Sequence, residues 1–129
     1  MSCGGTPSSI TVTMALWTGK STTTALYVRL IDAIDMSKVK FVRATLQVES
    51  PSGAFQGKAG YRYTNDKVTY DTAVDLTSYQ VNGGIIYGAW VDVTASAKLF
   101  AEFGVQTLNQ SGTQVEMALA TLRIDFREN

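Results

Sequence analysis

Gly19-Lys20-Ser21-Thr22 has the ending of a phosphate-cradling loop, in which backbone N–H groups and a lysine hold a nucleotide's phosphates. That loop also needs a glycine five positions before Gly19, where Met14 stands, and a helix whose N-terminus faces the phosphate. A strand-like stretch follows instead, so the tetrapeptide reads as a turn. Carboxylates come next: Asp32, Asp35, Asp71, Asp75 and Asp92 all sit near predicted bends. A glycosidase needs two such groups roughly 5–10 Å apart across a cleft, and no pair here converges in sequence. Aspartate is favoured in bends anyway, because its side chain accepts hydrogen bonds from nearby backbone N–H groups. Asp71 and Asp75, with loop carbonyls and Asn65 or Asn82, are weak candidates for calcium, which takes about 6–8 oxygens from irregular loops. No cofactor is expected, and no firm metal ligand.

The sequence has no histidine, which removes Ser-His-Asp and Cys-His nucleophile systems, histidine-ligated zinc and the commonest general base near neutral pH. Its one cysteine, Cys3, cannot form an intramolecular disulfide or a zinc thiolate site. Eleven basic residues balance eleven acidic ones without a block of either sign, so no nucleic-acid or anionic-membrane partner is expected. The longest apolar run, 85–91, is far short of the roughly 20 residues that cross a bilayer as a helix. The start of the chain lacks the basic and apolar regions of a signal peptide. The expected location is the cytoplasm at synthesis, or a virion.

Aromatic placement is the more suggestive signal. Tyr61, Tyr63 and Tyr70 fall in one predicted hairpin, and Tyr79 and Tyr87 flank the loop before Trp90. Aromatic planes with polar neighbours bind sugar rings and partner surfaces, so Tyr61, Tyr63, Tyr70 and Trp90 are the ligand or interface candidates. Tyr61 and Tyr63 share the phase of Ala59, which also fits core packing, while Lys58 and Arg62 point the other way. Asn109-Gln110-Ser111 matches the N-glycosylation pattern at a predicted turn, where an ordinary turn explains it equally.

Strands must position these residues. Ile10, Val12, Met14 and Leu16 alternate with Thr11, Thr13, Ala15 and Trp17, the period of a half-buried strand. Residues 23–31 are strand-like and lead to a bend at 32–37. Between Val39 and Glu49, Val42, Ala44, Leu46 and Val48 share a face. Residues 85–93 carry apolar side chains on both faces, which predicts a central strand. At the C-terminal end, Val115, Met117 and Leu119 alternate in one phase and Leu122, Ile124 and Phe126 in the other, which predicts a bulge near 118–121 or, alternatively, a helix.

The two halves also echo each other. Phe41 to Gln47, Ser52-Gly53 and Ala59 recur 59 positions later as Phe100 to Gln106, Ser111-Gly112 and Ala118. Upstream stand Ile34-Asp35-Met36-Ser37 and Val91-Asp92-Val93-Thr94. Both copies read as strand, turn and returning strand, hence as hairpins, whether through duplication or shared constraint.

The expected architecture is an all-β antiparallel sandwich of jelly-roll or Greek-key type. It has 8–9 strands and at most a helical turn near 95–98. A tail over 1–8 would precede one domain over 9–127. The expected function is non-catalytic: a self-associating structural subunit of a virion shell, decoration or fibre, and so a homo-oligomer. A glycan-binding module is the alternative, and an enzyme built on carboxylates the third reading.

Overall fold

Period-2 alternation is what the backbone adopts. A computed structural model describes residues 8–50, 53–81, 84–94 and 99–128, and these contain ten strands. They are β1 (Ser8–Trp17), β2 (Leu26–Asp35), β3 (Phe41–Glu49), β4 (Phe55–Thr64), β5 (Val74–Asp75), β6 (Gln80–Val81), β7 (Gly84–Tyr87), β8 (Val91–Asp92), β9 (Phe100–Asn109) and β10 (Met117–Arg127). The first sheet runs β1-β10-β3-β7, with β8 also on β3; the second runs β2-β9-β4-β5, with β6 also on β4. Every pairing is antiparallel. Because β5 and β6 share one lane and β7 and β8 another, each sheet has four lanes. Numbered along the chain, the lanes run 1-8-3-6 and 2-7-4-5, the jelly-roll order of an antiparallel sandwich.

The core lies between the sheets. Val42, Ala44, Leu46 and Val48 of β3 are fully buried, facing Ala59, Tyr61 and Tyr63 of β4 and Phe103 and Val105 of β9. Phe103 meets Phe126 edge-on at 5.5 Å. Full burial of a side chain such as Phe103 or Leu122 contributes roughly 1.5–3 kcal/mol, so these central strands hold most of the stability.

Several expectations need correction. Strand β10 has no bulge: its register is continuous from Ser8↔Phe126 to Trp17↔Met117 against β1, and equally regular against β3. Ala118, Ala120, Leu122, Ile124 and Phe126 face inward in one phase, so Met117 and Leu119 point to solvent. The same regular pairing rules out the helical alternative. The irregularity sits in β2 instead, with register shifts against β9 between Arg29 and Ile31 and between Ile31 and Ile34. Strand β2 also runs on to Asp35, through the expected bend. The stretch 85–93 is an edge lane rather than a central strand. It breaks at Gly88, whose N–H donates to Ala44 O at 2.7 Å and where a Cβ would lie 2.9 Å from two backbone carbonyls. The helical turn near 95–98 and the tail before Ser8, with Cys3, fall outside the described residues.

The echo is real in space but is not a pair of hairpins. Strands β3 and β4 lie in different sheets, as do β9 and β10, so each copy is an arch crossing the sandwich. The turn glycines Gly53 and Gly112 both have positive φ, 73° and 69°. The arches clasp each other, β3 pairing with β10 and β4 with β9. The upstream tetrads match too. Asp35 pairs with Phe100 and Asp92 with Phe41. Met36 N–H donates to Leu99 O at 2.8 Å, and Val93 N–H to Lys40 O at 2.9 Å. The two copies are therefore exchanged by a pseudo-twofold that also exchanges the sheets.

Candidate functional site

With the core closed, chemistry and contact are left to the outer faces and the sheet edges. Each outer face carries one buried acid on a central strand, because alternation sends Glu102 of β9 and Asp125 of β10 outward among long cationic side chains. On the second sheet, Arg62 donates from Nε to Glu102 Oε2 at 2.8 Å, its Nη2 lies 2.7 Å from the same oxygen, and Arg29 Nη1 stands 3.8 Å from Oε1. The Arg62 guanidinium sits 4.3 Å from the Tyr27 ring centre and 4.9 Å from that of Tyr70. Glu102 is 1% exposed. Burial first, and then the Glu102 charge, hold the Tyr27 phenol well above its ordinary range. This face is closed on itself.

On the first sheet, Arg43 Nε and Nη2 donate to Asp125 Oδ2 at 3.2 and 3.1 Å, and Arg123 Nε donates to Oδ1 at 2.9 Å. The guanidiniums of Arg43 and Arg127 lie 4.4 and 4.6 Å from the Trp90 ring centre, and that of Arg127 lies 4.5 Å from the Phe41 ring centre. Arg43, Arg123 and Asp125 with Thr45, Tyr87 and Gly88 line an open pocket of about 300 Å³. The Tyr87 side chain beside it is 75% exposed. At the other end of this face the polar lining stops. Trp17 pairs with Met117 and Ala15 with Leu119, and Trp17, Met117 and Leu119 are 54%, 42% and 48% exposed. They form one uncovered apolar patch.

The predicted residues separate. Tyr61 and Tyr63 are buried, edge to face at 5.1 Å, and Tyr63 Oη donates to Val93 O at 2.9 Å. Burial and Tyr61 raise the Tyr63 phenol well above its ordinary range. Both serve the core, leaving Tyr70 and Trp90 at the surface on opposite sheets. Asp71 and Asp75 are not brought together. Asp71 N–H donates to Tyr63 O, while Asp75 pairs with Gly60, three residues along β4, or about 10 Å at the usual strand rise. Asp75 is held by Lys58 Nζ at 3.0 Å. Among the described residues no group of three or more Asp, Glu, Cys or His is placed to hold a metal ion. Asp66 caps the turn after β4, accepting from Val68 and Thr69 N–H at 2.9 and 2.8 Å, and these bonds hold its carboxyl below the usual range. Gly19-Lys20-Ser21-Thr22 leads into β2, a strand, where a phosphate loop needs a helix.

The alternation of the sequence does not reveal the apolar patch, because apolar residues occupy both phases between Val115 and Phe126. The partners of Met117 and Leu119, Trp17 and Ala15, were the signal, since they lie on the Thr face of β1.

The fold and its faces define an all-β jelly-roll sandwich with one closed and one open outer face. No protein-family model and no curated protein sequence matches this chain. Solved structures do. A chain in the structure of infectious bursal disease virus Gt strain matches with a TM-score of 0.59 at 8% identity, covering 94% of this chain and 33% of that one. The VP2 subviral particle of the same virus matches with a TM-score of 0.55 at 9% identity, covering 95% of this chain and 37% of that one. This chain thus spans about a third of the length of those chains. At such identities the likeness is one of fold. No helix among the described residues is long and apolar enough to cross a membrane.

Proposed function

We propose that this chain is a non-catalytic structural subunit that self-associates, as in a virion shell, decoration or fibre. The observation that carries the reading is the uncovered patch of Trp17, Met117 and Leu119 on a regular sheet face. Contiguous exposed apolar side chains mark contact sites. The sharing of a fold with VP2 of a virus particle supports it at the level of architecture. Sedimentation velocity from about 1 to 100 µM tests it, a range that detects assemblies with a Kd of about 100 µM or tighter. Assembly should grow with concentration, and a monomer throughout would overturn the reading.

A glycan-binding module is the second reading, favoured by the open pocket beside exposed Tyr87 and by Trp90 on its Arg43 wall. It predicts that a glycan quenches or shifts tryptophan fluorescence in the parent chain and does so less in Trp90→Phe. A flat response across a broad glycan panel would remove it.

A further inference from the structure

The four sheet edges are not alike. Among the described residues β1 pairs with β10 and with no other strand, and β2 pairs only with β9. Strand β2 is blunted by its two register shifts and by Arg29, Asp32 and Asp35. The other two edges are short: β5 and β6 have two residues each, and the β7–β8 lane is interrupted between Tyr87 and Val91. Strand β1 has none of these defences. Its ten residues, SSITVTMALW, contain no charge, proline or glycine and hold one unbroken register. Proteins normally protect a long regular edge, because its unpaired N–H and C=O groups template another strand.

We propose that β1 is the self-association edge and pairs antiparallel with β1 of a second copy about a twofold axis at Thr13. The inference rests on the self-association reading and names its surface. The occupant follows from the edges: the other three are short or irregular, so the matching edge in another copy is the same strand. The sequence of β1 is also complementary to its own reverse. Centred on Thr13, Val12 faces Met14, Ile10 faces Leu16, Thr11 faces Ala15 and Ser9 faces Trp17. Apolar side chains meet apolar ones on the inner face, and no like charges meet on either. Met14 would be covered: it lies on the core-facing phase of β1, yet it is 38% exposed. The pairing would join two four-lane sheets into one and set each Trp17 opposite Ser9 of the other copy, with the two apolar patches about 26 Å apart along the joined strands.

Thr13 is exposed, its hydroxyl 3.0 Å from that of Thr121, so it accepts substitution without touching the core. Thr13→Lys and Thr13→Glu would each place like charges directly opposite across the axis, which opposes pairing. In sedimentation each variant should lose the dimer while keeping its melting profile, and an equimolar mixture should recover a 1:1 heterodimer. In a Cys3→Ser background, Thr13→Cys should cross-link to itself under oxidation and Ala15→Cys should not, because only position 13 meets its own copy. If Thr13→Lys assembles like the parent chain, this edge is wrong although self-association stands. If both charge variants are monomeric and the mixture does not recombine, the edge is used in another pairing and the twofold is wrong. A parent chain that never assembles defeats the self-association reading itself.

Discussion

The outer face of β4 and that of β10 occupy equivalent places in the two arches, and they have been put to opposite uses. At the offset of the echo, Lys58 corresponds to Met117, Gly60 to Leu119 and Arg62 to Thr121. On β4 the chain covers its own face. Lys58 is tied to Asp75 at 3.0 Å and lies over the Tyr79 ring at 4.7 Å, and β5 approaches Gly60 so closely that a Cβ there would meet Val74 O at 2.8 Å. On β10 nothing in the described chain lies over Met117 and Leu119 beyond their neighbour Trp17. One arch supports two outcomes, decided by the outward-facing residues alone: charge and glycine close a face, and methionine and leucine leave it for something else to cover.

The largest effect expected from breaking this contrast comes from the closed face. Arg62→Ala strips Glu102 of its 2.7–2.8 Å cationic partner and leaves Arg29 as the nearest described cation, at 3.8 Å. An acid buried that deeply without its partner costs about 3–5 kcal/mol. Arg43→Ala on the open face leaves Asp125 with Arg123 at 2.9 Å and should cost well under half as much. Urea unfolding of both variants checks the ranking, and equal losses would show that the two faces are closed alike.

Importing one feature of the open face into the closed one comes next. Gly60→Ala places a Cβ against the backbone of β5, where nothing flexible can give way. Overpacking of this kind costs roughly 1–3 kcal/mol, and hydrogen exchange should show β5 released before β4. The reverse change belongs to the solvent: Leu119→Lys and Met117→Lys should alter monomer stability by no more than about 0.5 kcal/mol, as surface positions do, while weakening assembly in sedimentation. A large loss of stability in either would mean that the patch is already covered within its own chain.

Most of the fold was legible because alternation is local. The phases of β1, β3 and β4 could be read from Leu16, Val48 and Ala59, and Tyr61 and Tyr63 fell where their phase put them. What could not be read is set by distant residues. A Ser-Gly turn with positive φ serves a hairpin and an arch equally, so the crossing between sheets at Gly53 and Gly112 depends on which strand each neighbour finds. The phase of β10 is ambiguous in sequence because Met117 and Leu119 make its outer face as apolar as the inner one of Leu122 and Ile124. The Arg62–Glu102 pair joins residues 40 apart in sequence, and its aromatic cover comes from Tyr27 and Tyr70 on other segments. Trp90 was picked out as an aromatic, but the guanidinium pair around it came from β3 and β10.

The smallest effect tests the pseudo-twofold itself. Asp35 Oδ1 accepts from Ser37 N–H at 2.8 Å, and Asp92 Oδ1 accepts from Thr94 N–H at 2.8 Å and from the Thr94 hydroxyl at 2.5 Å. The Ser37 backbone bond holds the Asp35 carboxyl below its ordinary 3.8, and the Thr94 hydroxyl, then its N–H, does the same for Asp92. A lowered folded pKa means that the unfolded chain takes the proton first. The stabilisation is therefore complete above about pH 4 and is lost as pH falls through the folded value. Asp35→Asn and Asp92→Asn keep an accepting oxygen but remove the titration, so each should flatten the acid limb of stability against pH and change little at pH 7. Equivalent turns should flatten it in the same pH window, because each carboxylate is held by the backbone N–H and the hydroxyl of the residue two positions on. If one variant flattens the limb and the other leaves it untouched, the matched tetrads share geometry without sharing energetics, and the twofold ends at the strands it pairs.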